Sequence, residues 1–233
     1  MRLAIMQPYF MPYIGYFQLI DSVDEFVVYD NIQFTKKGWI NRNRILVNGN
    51  SMTITLPLKS DSDYLDIVER RLADTWPIER KKLLNRITEA YRKAPYFEQA
   101  YNVVEKCILF EEYNLFDFVY NSIHLMKDYL EIPTKVLIAS SLGIDHKLKA
   151  ENKVIGICKK LGTNNYINPI GGINLYFKDV FAKEEIELRF LKSGDISYRQ
   201  YKNEFIPWLS IIDVIMFNSK DEIKKLLQIK VMI

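Results

Sequence analysis

The stretch LAIMQPYFMPYIGYFQLIDSVDEFVVYD, residues 3–30, decides the fold. Its apolar residues 3–6 stop at Gln7 and a proline, which predicts a buried strand that ends in a loop. Aromatic and aliphatic residues recur at helical spacing after the second proline and predict a short helix. Residues 25–29 are β-branched and aromatic, and they predict a second strand that ends at Asp30. Strand, loop, helix and strand in this order are typical of an α/β fold.

Outward from this stretch, the pattern alternates, then becomes helical, then alternates again. Further strands are predicted at about 40–47 and 51–58, joined by an Asn48-Gly49 hairpin turn, and at about 64–72. Helices are predicted at about 76–94, 96–110 and 115–130. The last third predicts strands at 134–139, 165–170 and 186–191, and helices at 150–161, 205–216 and 220–227. We therefore predict a single α/β domain over residues 1–233, with a mixed, mostly parallel, Rossmann-like sheet and an inserted helical lobe at about 76–131.

The composition excludes several classes of protein. With 48% hydrophobic and 26% charged residues the chain is neither disordered nor of low complexity. The net charge of +3 is spread along the sequence, so we do not expect DNA as a partner. Two cysteines and two histidines argue against a disulfide framework and against a metal site. We expect no signal peptide and no membrane span, and we predict a cytoplasmic protein.

The loop after the first strand is the first candidate for function. Gln7 stands at the carboxyl end of a strand, where α/β sheets bind ligands, and Tyr9 follows it. The alternative is a loop that two prolines stiffen and aromatic residues pack beneath.

Residues 30–44 are the second candidate, because an acidic residue at a strand end is followed by amides and cationic side chains. Arginine suits a phosphate, and a tryptophan beside alternating Asn and Arg is a costly composition for a strand without partners. The alternative is a solvated hairpin face. The candidate residues are Asp30, Gln33, Lys37, Trp39, Asn41, Arg42, Asn43 and Arg44.

Two further strand ends carry polar or glycine-rich residues. Hydroxyl groups follow the strand at 134–139, where they could bind an anion or cap a helix. The Asn-Pro and Gly-Gly sequences at the end of the strand at 165–170 could let backbone N–H groups approach an anion or a sugar. The alternative is that they only end the strand and form a turn. The residues concerned are Ser140, Ser141, Asn168, Gly171, Gly172 and Tyr176.

Asp213 is a carboxylate within an apolar helical pattern. Burying such a charge costs several kcal/mol unless it is paired or titrates high. A structural and a catalytic role both remain open.

Taken together, these segments resemble the WbqC-like protein family of bacterial polysaccharide gene clusters. The resemblance spans essentially the whole chain and rests on residues 6–17, 26–33, 38–45, 166–176 and 205–213. Many family members carry histidine where this chain has Met6, so no histidine role is carried over to that position.

The resemblance implies a cytoplasmic transferase of O-antigen or related glycan biosynthesis, which transfers an aminoacyl group, such as glycyl, to the amine of a nucleotide-linked amino sugar. We assign Asp30 or Asp213 as the base, Gln7 and Asn41 as orienting or oxyanion groups, and the two arginines as phosphate ligands. No resident cofactor is predicted and the acyl donor is open. The expected partners are a nucleotide-linked amino sugar, for example dTDP-linked, an acyl carrier protein or another aminoacyl donor, and a second copy of the chain in a homodimer.

Two alternatives stay open. A glycosyltransferase or nucleotidyltransferase would use the same substrates, although the paired histidines of nucleotidyltransferases are missing and the Asp-Ser-Asp sequence at 61–63 looks like a loop. A non-catalytic nucleotide-sugar-binding protein is the other.

Overall fold

The computed structural model describes residues 1–145, 147–202 and 204–233. The strands within these residues are β1 (Arg2–Met6), β2 (Glu25–Val28), β3 (Arg42–Val47), β4 (Asn50–Thr55), β5 (Lys135–Ile138), β6 (Asn165–Pro169), β7 (Glu187–Ser193) and β8 (Lys230–Met232). The helices are α1 (Ile14–Asp21), α2 (Trp76–Tyr91), α3 (Phe97–Ile108), α4 (Leu115–Tyr129), α5 (Ala150–Leu161), α6 (Lys178–Ala182), α7 (Ile211–Phe217) and α8 (Lys220–Gln228). Short 3₁₀ helices lie at Ile67–Glu69, Ala139–Leu142 and Ile170–Gly172.

Six strands form the main sheet in the order β5-β2-β1-β6-β7-β8. All neighbours are parallel except β8, which runs antiparallel to β7. The chain builds outward from β1 through β2 to β5, then returns to place β6 on the other side of β1. The mixed, mostly parallel Rossmann-like α/β sheet is therefore confirmed, and its strand order reverses between β1 and β6 at their carboxyl ends, where such sheets bind ligands.

The central strand β1 is buried on both faces. Leu3 and Ile5 join a core that includes residues of α5 and α6, whereas Ala4 joins the larger core on the opposite face. This alternation follows from the period of two along a strand, and burial on both faces explains the continuous apolar run.

The predicted hairpin is confirmed, and it forms a two-stranded sheet of its own from β3 and β4. Asn48 and Gly49 have φ values of 50° and 75°, the left-handed backbone that a tight hairpin turn requires. Tyr91 at the end of α2 accepts a hydrogen bond from the Leu46 amide at 2.9 Å. The hairpin is therefore tied to the helices that follow it.

The three helices predicted in the middle of the chain are α2, α3 and α4. Asn114 caps α4 by accepting hydrogen bonds from the amides of Phe116 and Asp117. Trp76 of α2 packs edge-on against Phe118 of α4, with ring centroids 5.3 Å apart. The division of the chain into domains stays a prediction.

The strand predicted at 64–72 is wrong. The Asp66 amide donates to the Glu69 carboxylate at 2.9 Å, and this capping box favours the 3₁₀ helix Ile67–Glu69. Only single-residue pairings, such as Leu58 with Leu72, remain around it among the described residues.

The helix predicted at 205–216 begins only at Ile211. Trp208 has a left-handed φ of 62°, which a helix does not accept, and the Ser210 hydroxyl caps the new start by accepting from the Ile212 amide at 3.2 Å. The short elements α6 and β8 lie outside the sequence-based prediction.

None of the helices in the described part of the chain combines the length and the apolar character needed to cross a membrane.

Candidate functional site

The loop after β1 is fixed by the hairpin that follows it in sequence. The Phe10 amide donates to the carbonyls of Trp39 and Ile40, at 3.2 and 3.1 Å. The buried amide nitrogen of Asn43 donates to the carbonyls of Phe10 and Met11, at 3.0 and 2.8 Å. Asn43, predicted to bind substrate, thus holds the loop in place.

The segment before α7 closes the other side of the loop. The Ser210 amide donates to the Arg44 carbonyl at 2.8 Å, and its hydroxyl donates to the Met11 carbonyl at 2.7 Å. Met11 and Trp208 both have left-handed backbones, with φ values of 44° and 62°. Such conformations cost about 1–3 kcal/mol each in bulky residues and cluster at functional sites. The loop and the segment that packs against it therefore each hold one strained residue.

This first cavity has a volume of about 240 Å³. Its walls include Tyr9, Tyr13, Trp39, Asn43, Arg44 and Trp208. Ring faces and a guanidinium thus surround a space at the carboxyl end of β1.

The two predicted phosphate ligands share one ring, Trp39: Arg44 lines the cavity, and Arg42 contacts the Trp39 ring that also lines it. The guanidinium carbons of Arg42 and Arg44 are each 5.5 Å from the centroid of the Trp39 ring. Arg42 donates to the carbonyls of Lys37 and Gly38, and Arg44 donates to the Trp208 carbonyl at 3.1 Å. Neither forms an ion pair with any residue that the structure describes, and the Nε of Arg44 is buried without a hydrogen bond. Two oriented positive charges therefore lack a counterion within the described part of the chain, as an anion site requires.

Tyrosine hydroxyls supply neutral donors around the cavity. Burial, and the proximity of Tyr13, raise the pKa of Tyr9 to about 12, and burial also raises the pKa of Tyr13. Both stay protonated at neutral pH. The Tyr16 hydroxyl is already used, because it donates to the Gln7 carbonyl at 3.0 Å.

Gly15 allows Tyr13 to take its place in the wall. A Cβ on Gly15 would lie 2.2 Å from Cε2 of the Tyr13 ring, so any side chain there would displace the ring. The ring packs edge-on against Trp208, with centroids 5.6 Å apart.

Gln7 directly follows β1 at the reversal of strand order. Its side chain is half-buried and forms no hydrogen bond with the described residues. The amide is therefore available to a ligand at the sheet edge, where the sequence predicts it.

Asp30 follows the carboxyl end of β2, and Lys153 of α5 lies close to it. One Asp30 carboxylate oxygen accepts a hydrogen bond from the Ser140 amide at 2.9 Å. The Lys153 ammonium donates to the carbonyl and side-chain oxygens of Asn31, at 2.8 and 2.9 Å. Burial lowers the pKa of Lys153, and the charges of Asp66 and Asp30 oppose that effect. Asp30, Asn31 and Lys153, which we call the Asp30 cluster, thus bring a carboxylate and an ammonium close enough to interact.

Ser140 and Ser141 follow β5, and each makes one local hydrogen bond. Ser140 contributes its amide to Asp30, and the Ser141 hydroxyl donates to the Ile138 carbonyl at 2.7 Å. Both residues remain exposed at the sheet edge.

Residues of β6 pack tightly against those that follow it. The Tyr166 hydroxyl donates to Asn168 at 3.0 Å. A Cβ on Gly172 would lie 1.9 Å from the Asn168 amide nitrogen, so glycine is needed there, whereas Gly171 has open space around it. Tyr176 packs edge-on against Tyr166, with centroids 6.4 Å apart.

Of the predicted site residues, only Tyr9, Trp39, Asn43 and Arg44 line the first cavity, and three of the others in the segment 30–44 use polar groups within the protein. The Gln33 amide donates to the Asp63 carbonyl at 3.0 Å, and the buried Asn41 amide donates to the Leu56 carbonyl at 2.9 Å. Lys37 contributes its carbonyl to Arg42.

Asp213 lies in the core of α7 and is fully buried. Its oxygens accept hydrogen bonds from Tyr91 at 2.9 Å, Tyr198 at 2.7 Å and Gln200 at 2.6 Å. Burial raises the pKa of Asp213 to about 6, although these three hydrogen bonds oppose the rise. Its surroundings favour a positioning role over contact with a substrate.

Sequence reasoning missed two parts of the site. Lys153 is one of several lysines on the predicted amphipathic helix, and the sequence around it does not indicate that it is buried. Trp208 falls in a stretch predicted as helix, although the preceding proline is a signal for an irregular segment. Among the described residues, no group of three or more His, Cys, Asp or Glu side chains could hold a metal ion.

Comparison with known proteins identifies the family. The chain is similar to uncharacterized protein Rv1507c of Mycobacterium tuberculosis, with 27% identity over 223 residues that cover 93% of each chain. No solved structure matches it. The family match covers residues 7–225, which include every wall of the first cavity and the Asp30 cluster. The chain therefore belongs to the WbqC-like protein family.

Proposed function

We propose that this protein is a cytoplasmic transferase that joins an aminoacyl group, such as glycyl, to the amine of a nucleotide-linked amino sugar in O-antigen or related glycan biosynthesis. Its membership of the WbqC-like family supports a place among glycan-cluster enzymes. The reaction and the substrate are what the resemblance to that family implies, and the chemistry of the site supports a nucleotide-sugar as ligand.

The observation that carries the proposal is the pair of arginines at Trp39, of which Arg44 lines the first cavity. Arg42 and Arg44 are oriented by backbone carbonyls and stacked near Trp39, and no described carboxylate neutralises them. A nucleotide-sugar offers rings to stack and a diphosphate to bind, which matches tryptophan, tyrosine and guanidinium groups. The position beside the reversal of strand order supports the same ligand.

Amide formation requires a neutral amine, a proton acceptor and donors for the oxyanion. The amine nitrogen attacks the carbonyl carbon of an activated aminoacyl group, the C–N bond forms, and the bond from that carbon to its oxygen or sulfur leaving group breaks. The leaving group departs with the bonding electrons, and the amine loses a proton to the base.

Of the two candidate bases, Asp30 has the carboxylate with fewer hydrogen bonds. One of its oxygens is oriented by the Ser140 amide, and the other makes no hydrogen bond with the described residues. Gln7 would orient the acceptor or donate to the oxyanion. Asp213 would act through the residues that it holds.

We propose the acyl donor and the partners on the same basis as the reaction. An acyl carrier thioester, a coenzyme A thioester, an aminoacyl-tRNA or a free amino acid with ATP would each supply the acyl group. We expect no resident cofactor, and a homodimer is compatible with the proposal.

Product mass tests the proposal directly. The purified protein is incubated with nucleotide-linked amino sugars, dTDP-linked ones included, and with each class of donor. We expect a nucleotide-sugar that is heavier by one aminoacyl residue. Products that gain a sugar or a nucleotidyl group instead would reject aminoacyl transfer.

One observation favours nucleotidyl transfer as the second candidate. The sheet order around β1, with a proline-aromatic loop leading into α1, is suited to bind a nucleotide at the carboxyl end of the first strand. Strict dependence of turnover on a divalent cation, with release of pyrophosphate, would favour this reaction over acyl transfer.

A further inference from the structure

A second cavity, also of about 240 Å³, shares a wall with the first. Tyr13 and Trp208 line both cavities. The second cavity is completed by Gly194, Asp195, Tyr198 and Phe205. The edge-on pair of Tyr13 and Trp208 therefore stands between two spaces of similar size.

The second cavity lies at the same edge of the sheet as the first. Its floor follows the carboxyl end of β7, where the Gly194 amide donates to the Ile229 carbonyl at 2.9 Å. A Cβ on Gly194 would lie 2.8 Å from the Ile229 side chain, so glycine allows this close approach. β7 and β1 run in the same direction, and ligands of such sheets bind at their carboxyl ends.

Four aromatic rings form part of the walls of the second cavity. Tyr198 and Phe205 pack edge-on with centroids 4.9 Å apart, as Tyr13 and Trp208 do at 5.6 Å. The Tyr198 hydroxyl is anchored by Asp213, which fixes its ring. Four rings thus surround one space, an arrangement that attracts cations through the negative faces of the rings.

Asp195 gives the second cavity a charge opposite to that of the first. Its carboxylate is exposed and forms no ion pair or hydrogen bond with the described residues. It is the only charged residue among the described lining residues, whereas Arg44 is the only one in the first cavity. The Tyr13–Trp208 pair therefore separates a cationic space from an anionic, aromatic one.

We propose that the second cavity binds the primary ammonium group of the aminoacyl donor. This inference rests on the proposed function, which requires two substrates to meet, and it assigns one cavity to each. The nucleotide-linked acceptor enters the cationic cavity, and the α-ammonium of the amino acid binds between Asp195 and the rings. The acyl carbon then lies towards the Tyr13–Trp208 pair that both cavities share.

Binding of glycinamide, a cation that retains the ammonium and carbonyl groups of glycyl donors, tests the assignment without turnover. Titration is followed by NMR on the indole N–H signals of the three tryptophans, of which Trp208 lines the cavity. We expect the Trp208 signal to shift with glycinamide and not with uncharged acetamide. Asp195→Asn should weaken the affinity about two- to fivefold, and Phe205→Leu by a similar factor.

Asp221→Asn serves as the matched control, since it removes one exposed carboxylate from the start of α8 and should leave the affinity unchanged. Glucosamine, added in a separate titration, distinguishes the ammonium of an amino sugar from that of the donor. Equal shifts with acetamide, equal affinity in Asp195→Asn, or tighter binding of glucosamine would overturn the inference. Glycinamide binding without any aminoacylated product would instead retain this site and reject the proposed reaction.

Discussion

Gln200 donates its side-chain amide to the Asp213 carboxylate at 2.6 Å, within the core. The same Gln200 side chain accepts from the Ile206 amide at 2.7 Å and donates to the Ile206 carbonyl at 3.2 Å. Trp208, which lines both cavities, follows two residues later. A buried carboxylate on α7 thus fixes the backbone that presents the shared wall.

Ionisation of Asp213 should therefore change stability with pH. Burial raises its pKa from 3.8 to about 6 in the folded protein, so the folded state binds this proton more tightly than the unfolded state. The resulting stabilisation is complete below the unfolded pKa and is lost as pH rises through the folded pKa. Between about pH 4 and pH 7, we expect the free energy of unfolding of the wild type, relative to Asp213→Asn, to fall by about 1–3 kcal/mol.

Urea unfolding of both proteins across this pH range measures the difference. Asp221→Asn is the control, because its carboxylate is exposed and its difference from the wild type should stay constant. A difference between the wild type and Asp213→Asn that stays flat or rises with pH would contradict the assignment.

Arg44→Gln should weaken nucleotide binding. The substitution removes a charge that has no described counterion and a guanidinium that suits phosphate oxygens. We expect calorimetry to show roughly tenfold weaker binding of dTDP, which corresponds to about 1.4 kcal/mol. Arg86→Gln, on an exposed face of α2, should bind dTDP as the wild type does. Comparable losses in both variants would point to general charge attraction and not to a site at Trp39.

The opening of the fold could be predicted because its signals are local. Residues 3–30 carry two short apolar strand patterns on either side of a helical pattern, and the Asn48-Gly49 turn has its own backbone preference. The 3₁₀ helix at Ile67–Glu69 is not predicted, because its capping residues lie within residues 64–72, whose pattern also favours a strand. At that point the hydrogen-bonding preference of Asp66 outweighs the alternation of the neighbouring side chains.

The candidate site could be predicted only in part. Position at a strand end marks Gln7 and Asp30, and composition marks Arg42 and Arg44. Trp208 is more than a hundred residues from all of them in sequence, and only tertiary contacts bring it to the cavity. Tertiary contacts also determine that Asn41 and Asn43 donate their side-chain amides to backbone carbonyls. The sequence alone does not distinguish an asparagine that contacts a ligand from one that contacts a loop.

Gly15→Ala should displace Tyr13 from the wall that both cavities share. The new methyl group would overlap the Tyr13 ring, since a Cβ at this position lies 2.2 Å from the ring Cε2, and overpacking of this kind costs about 1–3 kcal/mol. In the Tyr13→Ala background the same change should instead stabilise α1 by up to about 1 kcal/mol, since alanine is a better helix former than glycine. Urea unfolding of the four proteins in this double-mutant cycle measures the coupling, and additive effects would rule out the predicted clash.

Asp30→Asn should abolish most of the turnover while it leaves the fold intact. Asparagine keeps an oxygen that can accept the Ser140 amide, but it cannot take a proton from the attacking amine. We expect kcat for aminoacyl transfer to fall by about a hundredfold or more, with little change in the affinity for dTDP. Asp74→Asn, which alters an exposed carboxylate paired with Lys59, should keep wild-type turnover. If Asp30→Asn retains full kcat, another group must accept the proton, because loss of a general base cannot leave the chemical step unchanged; an unaltered pH profile in that variant would exclude Asp30 independently.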